Sequence, residues 1–119
     1  MHLIYRFLHD ERYYFLHVKE HEKINPNKIL LGYYDNAYVY MIPNTFINIS
    51  NYLLHQHGLK AFKVKKILMN LCDLKLIKVY FSISDGIRYR IQKRIGKTRK
   101  RYITFNRGEF DKIIEGGLL

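Results

Sequence analysis

Residues 88–105 read RYRIQKRIGKTRKRYITF, and the fold turns on how this stretch pairs with itself. On both sides of Gly96-Lys97, apolar or aromatic residues alternate with basic ones, a period of two that marks strands. Gly-Lys suits a two-residue hairpin turn. With that turn, Arg94 faces Arg99, Gln92 faces Arg101 and Arg90 faces Ile103. One face of the ribbon then carries Arg88, Arg90, Arg94, Arg99 and Arg101. Like charges facing each other destabilise an isolated hairpin, and phosphates lying between them would relieve the repulsion. The reading depends on register, because a slip of one residue exchanges the faces.

Two cheaper readings of the same stretch fail on context. Gly96-Lys97-Thr98 ends like a phosphate-binding loop, but that loop needs a glycine five residues earlier and a helix after it. Position 91 is Ile, and a strand pattern follows, so the cradle for ATP phosphates is absent. A basic localisation signal would be exposed and uninterrupted, whereas these charges are set between alternating strand residues.

Working upstream, LIKVYFSI reads as one strand closed by Asp85-Gly86, and IRYRIQKRI as the next. Before them stand two helices. The first opens at Pro43, capped by Asn44 or Thr45, with Phe46, Ile49, Leu53 and Leu54 at helical spacing, and stops at Gly58. The second runs from about Lys60 to Cys72. Its inner stripe is Ala61, Val64, Ile67, Leu68, Leu71 and Cys72, and Lys63, Lys66 and Asn70 lie outside it. Further upstream, ILLGYYDNAYVYMI predicts two strands around Asp35-Asn36, and INPN (24–27) predicts a turn. HLIYRF and YYFLHVK predict a hairpin within residues 3–18, with a helix as the alternative. Downstream, about Gly108 to Glu115 predicts a short helix returning Phe110, Ile113 and Ile114 to the core.

Helix, turn, helix and β-hairpin is the element order of a winged helix. The expected fold is therefore α+β: a winged helix-turn-helix with an N-terminal β extension. It forms one domain over residues 1–119, divided into a β-rich extension (1–42), helix-turn-helix plus wing (43–107) and a C-terminal helix (108–119).

The charge supports a polyanionic partner. Residues 60–107 hold fifteen Lys and Arg against Asp73 and Asp85, a net of +13, while residues 1–59 hold five of each sign. Segregation of this kind creates self-repulsion that a bound polyanion neutralises. The aromatic fraction of 15% is too high for a disordered basic tail. No apolar run approaches the length of a membrane span, the N-terminus lacks a secretory pattern, and the single cysteine, Cys72, fits a reducing compartment. A cytoplasmic protein without membrane contact is expected.

The sequence argues for binding without catalysis. His55-Gln56-His57 is spaced like the paired histidines of rolling-circle endonucleases, but it falls at a helix end, where residues two apart diverge, and no later helix presents a tyrosine. Basic groups at a helix C-terminus need no metal to explain them. The other histidines show no metal spacing with Cys72, and the basic half has too few carboxylates to hold catalytic ions. No catalytic residue, metal site or cofactor is expected. The candidate nucleic-acid interface is Lys60, Lys63 and Lys66 on the second helix with Arg88, Tyr89, Arg90, Lys93, Arg94, Lys97, Arg99, Lys100, Arg101 and Tyr102 on the hairpin. Lysines and arginines would neutralise phosphates, and Tyr89 or Tyr102 would stack on unpaired bases. Single-stranded DNA is the favoured partner, because the second helix offers little beyond Asn70 for reading duplex base edges. The alternative is a duplex-DNA-binding regulator or relaxosome accessory protein.

Gly32, the run Tyr40 to Phe46, Leu76-Ile77 and the basic run Arg94 to Arg101 together resemble the winged-helix domain that ends the MCM-like replicative helicases of Gram-positive mobile elements. The similarity covers about residues 28–107. No ATPase precedes it here, so the chain reads as a free-standing copy. It is similar in this to the small single-stranded-DNA-binding proteins encoded beside such helicases in staphylococcal cassette chromosome elements. The resemblance implies a role in replication or transfer of a mobile genetic element, with a replicative helicase or polymerase of that element as protein partner.

Overall fold

A computed structural model describes residues 10–56, 58, 60 and 63–116, with all their side chains except those of Leu53 and residues 113–116. Its elements are β1 (Tyr13–His17), a 3₁₀ turn (Val18–Glu20), β2 (Ile29–Tyr34), β3 (Tyr38–Met41), α1 (Pro43–Gln56), α2 (Val64–Asp73), β4 (Ile77–Lys78), β5 (Tyr80–Ser82), β6 (Gly86–Arg88), β7 (Ile91–Ile95), β8 (Thr98–Asn106) and α3 (Arg107–Gly116).

The arrangement is a mixed α/β fold built on strands, and it corrects the expected winged helix-turn-helix. Six strands form one sheet, in the order β1-β2-β3-β8-β4 with β7 also paired to β8, and β5 and β6 form a separate two-stranded sheet. The residues expected to be a peripheral extension supply β1, β2 and β3 of the main sheet. Leu31, Val39 and Met41 from this segment are buried in the principal core. Each helix packs on the sheet, α1 on β8, α2 on β4, and α3 on β8 and β3. The sheet, not a pair of helices, is the organising layer.

β8 explains why. Tyr102, Ile103, Thr104 and Phe105 are four consecutive buried residues, so both faces of this strand are covered. Ile103 and Phe105 join Val39 and Met41 against Phe46, Ile47, Ile67, Leu68, Leu71 and Phe110 from the helices. Phe105 meets Phe46 and Phe110 edge to face, at centroid distances of 5.9 and 5.5 Å. On the opposite face Tyr102 packs with Tyr40 and Ile95, bordered by Val18, Tyr33, Tyr38 and Ile42. β3 alternates in step, with Val39 and Met41 in one cluster and Tyr38 and Tyr40 in or against the other.

Local chemistry sets the connections. Asp35 closes the β2–β3 turn, its Oδ1 accepting the amides of Ala37 and Tyr38 at 2.9 and 2.8 Å. The 24–27 turn forms as expected, with Asn27 N donating to Asn25 Oδ1 at 2.9 Å. Pro43 begins α1, where a missing N–H is harmless. Gly58 takes φ +72 just beyond α1. α2 begins at Val64, with Lys63 in its N-cap position, so it is shorter than the expected Lys60 start. It ends with Lys75 N donating to Cys72 O and Leu76 N to Leu71 O, while Lys75 takes φ +59 in the glycine-like position.

Several expectations are revised at the strands. LIKVYFSI is two strands, β4 and β5, broken at Val79, and IRYRIQKRI is β6 and β7, broken at Tyr89 and Arg90. YYFLH of the expected first hairpin is β1, which pairs in parallel with β2 and shifts register between Tyr14 and Phe15. The other arm of that hairpin, and Ala61 and Phe62 of the expected second helix, lie outside the described residues. No described helix is long and apolar enough to cross a membrane.

Candidate nucleic-acid interface

The β7–β8 hairpin has the register that its sequence predicts. Arg94 pairs with Arg99, Lys93 with Lys100, Gln92 with Arg101 and Ile91 with Tyr102. Gly96 provides the turn with φ +63, a left-handed conformation that glycine adopts without steric penalty. A side chain at Gly96 would also strike His21, whose Nε2 lies 2.4 Å from the Cβ position. The turn is thus seated against the segment that follows β1.

Strand alternation divides the basic residues between two faces. Gln92, Arg94, Arg99 and Arg101 share one face, and the exposed arginines among them form its charge. Ile91, Lys93, Ile95, Lys100 and Tyr102 share the other. Lys93 is half-buried there, its Nζ 5.3 Å from the centre of the Tyr40 ring. Arg90 lies before β7 and does not face Ile103 as expected.

The arginine face leads into a cleft of about 380 Å³ lined by Leu68 of α2, Asp85, Arg88, Tyr89, Arg90 and Arg101. Four of the sequence-derived site residues therefore meet around one concavity: Arg88, Tyr89, Arg90 and Arg101. Arg94 and Arg99 continue the same face of the hairpin towards its turn. Tyr89 is half-buried and packs against the principal core, which fixes its ring position. Arg88 Nη2 donates to Asp85 Oδ2 at 2.7 Å. This pair holds Arg88 at the rim while Arg90 and Arg101 are exposed.

The remaining candidates are dispersed. Lys97 is exposed at the hairpin turn, and Lys100 lies on the face away from the arginines. Lys60 is exposed outside any helix, and Lys63 and Lys66 are exposed at the start of α2. Leu68 of α2, expected as a core residue, also lines the cleft, and no signal in the sequence marks it as a site residue.

Tyr102 does not belong to the interface. It is 4% exposed and meets Tyr33 and Tyr40 edge to face, at 6.1 and 6.2 Å between centroids. A ring covered on its own face cannot stack on a base. Burial raises the pKa of Tyr33, Tyr40 and Tyr102, and for Tyr40 a hydrogen bond to Asp35 adds to the effect. Tyr40 Oη donates to Asp35 Oδ2 at 2.6 Å. For Asp35, burial pushes the carboxyl up, but the bonds from Tyr40, Tyr38 and Ala37 outweigh it and leave the pKa below its ordinary value. Arg107 donates from Nη1 to the Asp35 carbonyl at 2.7 Å. The tyrosine cluster is structural and supports the hairpin from behind.

Among the described residues no three His, Cys, Asp or Glu side chains gather as a metal-binding group. Compared with protein-family models, with curated proteins and with solved structures, the chain finds no match.

Proposed function

We propose that the chain is a non-catalytic DNA-binding protein that takes unpaired strand into the cleft beside α2. The observation that carries this reading is the cleft itself: one half-buried tyrosine beside Arg88, Arg90 and Arg101 in a concavity of about 380 Å³. That volume is at the small end of ligand pockets and suits a single nucleotide. Guanidinium groups neutralise phosphates and stack on bases, and an aromatic ring adds a second stacking surface. A duplex is too wide to enter a cleft of about 380 Å³ and keeps its bases paired, so the cleft suits an unpaired nucleotide. The carboxylate at the rim, Asp85, is engaged by Arg88, which supports binding rather than carboxylate-assisted catalysis.

The association with replication or transfer of a mobile element, beside its helicase or polymerase, rests on the sequence resemblance, whose implied fold the chain does not share. The cleft supports DNA binding independently of that resemblance.

Fluorescence anisotropy with a labelled single strand and a duplex of matched length tests the reading. The single strand should bind more tightly, and if about six phosphates are contacted, affinity should fall by about 10³-fold between roughly 50 and 200 mM salt. A flat salt response, or tighter binding to the duplex, would overturn it.

A further inference from the structure

The β5–β6 hairpin is an arm set between two strands of the main sheet. Lys78 of β4 pairs with Thr104 and Ile91 of β7 pairs with Tyr102, both on β8. Between them the chain leaves the sheet and pairs with itself, Tyr80 with Arg88, Phe81 with Ile87 and Ser82 with Gly86. At ~3.3 Å per step, the five steps from Lys78 to Ile83 span roughly 16 Å.

The arm has two unlike faces. Tyr80 and Arg88 share the one whose arginine lines the cleft. Phe81 and Ile87 share the other, 68% and 47% exposed, and Ile83 at the tip is 99% exposed. Single exposed apolar residues are ordinary, but a cluster on one small protrusion marks a contact surface. Solvated sheet edges are usually protected by charge, and the Phe81–Ile87 face carries none.

Charge decides what can cover this face. A second copy would bring another strongly basic region against this one, with fifteen Lys and Arg to two acids over residues 60–107, and like fields oppose that approach. DNA is attracted by the same field. Its bases are its apolar part, and aliphatic and phenyl side chains are the groups that insert between base steps or cap a stack. A wholly single strand can be served by the cleft face alone. An exposed apolar surface on the back of the arm suits the end of a base-paired stack.

We infer that the arm is a wedge for the junction between paired and unpaired DNA. The terminal base pair rests on Phe81 and Ile87, Ile83 enters at the point of opening, and the freed strand passes Arg88 into the cleft. This rests on the single-strand reading above and adds the class of DNA recognised.

The test compares a forked DNA, its single-stranded arm alone and a blunt duplex, for the wild type and for the Phe81→Ser, Ile83→Ser double variant. The substituted side chains are exposed, and circular dichroism checks the fold. The wild type should bind the fork about ten-fold more tightly than the arm alone. The variant should lose that ratio and keep the wild-type affinity for the single strand. A fluorescent purine analogue in the terminal pair should brighten with the wild type and not with the variant. Equal wild-type affinity for fork and arm would overturn the wedge and leave the cleft reading standing. So would a variant that loses single-strand binding in proportion, or a self-association by sedimentation that the variant abolishes. Absence of single-strand binding by the wild type would sink both.

Discussion

Arg94 and Arg99 stand opposite each other across the β7–β8 hairpin, one rung inward from the Ile95–Thr98 pair that closes the turn. Facing like charges weaken a free hairpin by a fraction of a kcal/mol, and a phosphate between them reverses the sign. Arg99→Gln should therefore leave the free protein as stable or slightly more stable at low salt. The same substitution should weaken single-strand binding and reduce the salt slope by about one. Thermal melts and anisotropy on the same sample separate the two effects. An unchanged salt slope would remove this rung from the interface.

Tyr89 and Tyr102 should part company under mutation. Tyr89→Ala is expected to cost about 1–3 kcal/mol of single-strand affinity if the ring stacks on a base, and Tyr89→Phe should retain most of it. Tyr102→Phe should leave DNA affinity unchanged, because that ring is buried between Tyr33 and Tyr40. Equal losses at both positions would mean that the substitutions act through the fold.

Alkaline pH should unfold the protein through its tyrosine cluster. Burial raises the pKa of Tyr33, Tyr40 and Tyr102 above the ordinary 10.0. Their contribution to stability is fully present below 10.0, the unfolded value, and is lost as pH rises from there through the higher folded values. Urea midpoints measured on either side of that pH should fall, with tyrosinate absorbance appearing together with unfolding. Tyr40→Phe should flatten the dependence.

Gly32→Ala should be severely destabilising, by about 2–4 kcal/mol. A Cβ at Gly32 would lie 2.0 Å from the Tyr40 carbonyl oxygen, a backbone atom that cannot step aside without breaking the β2–β3 pairing. Chemical denaturation of the variant checks this, and a loss under 1 kcal/mol would show that the strands can spread.

Turns were the most legible part of the sequence. Asp35, Pro43, Gly58, Gly86 and Gly96 all act within a few residues of themselves, and each sits where its local chemistry places it. The hairpin register followed from one of them. Strand order was not legible, since the Tyr40–Thr104 pairing joins segments far apart in the chain, and neither end of that contact carries a local sign of the other. The break at Tyr89 and Arg90 was hidden because alternation continues across it. Tyr102 was misread for a related reason: period two says which residues share a face, but not that both faces of β8 are covered. The order helix, turn, helix, hairpin suggested an extension before Pro43 and a DNA-binding unit after it, whereas hydrophobic pairing ignores that boundary. Of the site, the arginines were legible as charge, and their convergence on a cleft required the placement of β6 and α2.

His21 rests against Gly96, and β3 flanks β8 along Ile103 to Asn106. The electrically neutral part of the chain is thus the mould in which the cationic part is cast. A fragment from Pro43 onward would keep the whole chain's net charge of +11, yet strip β8 of a neighbour on which its central position depends. Such a fragment would hold the charge of a DNA ligand without the shape of one, and would present an unpaired strand edge prone to sticking to others of its kind.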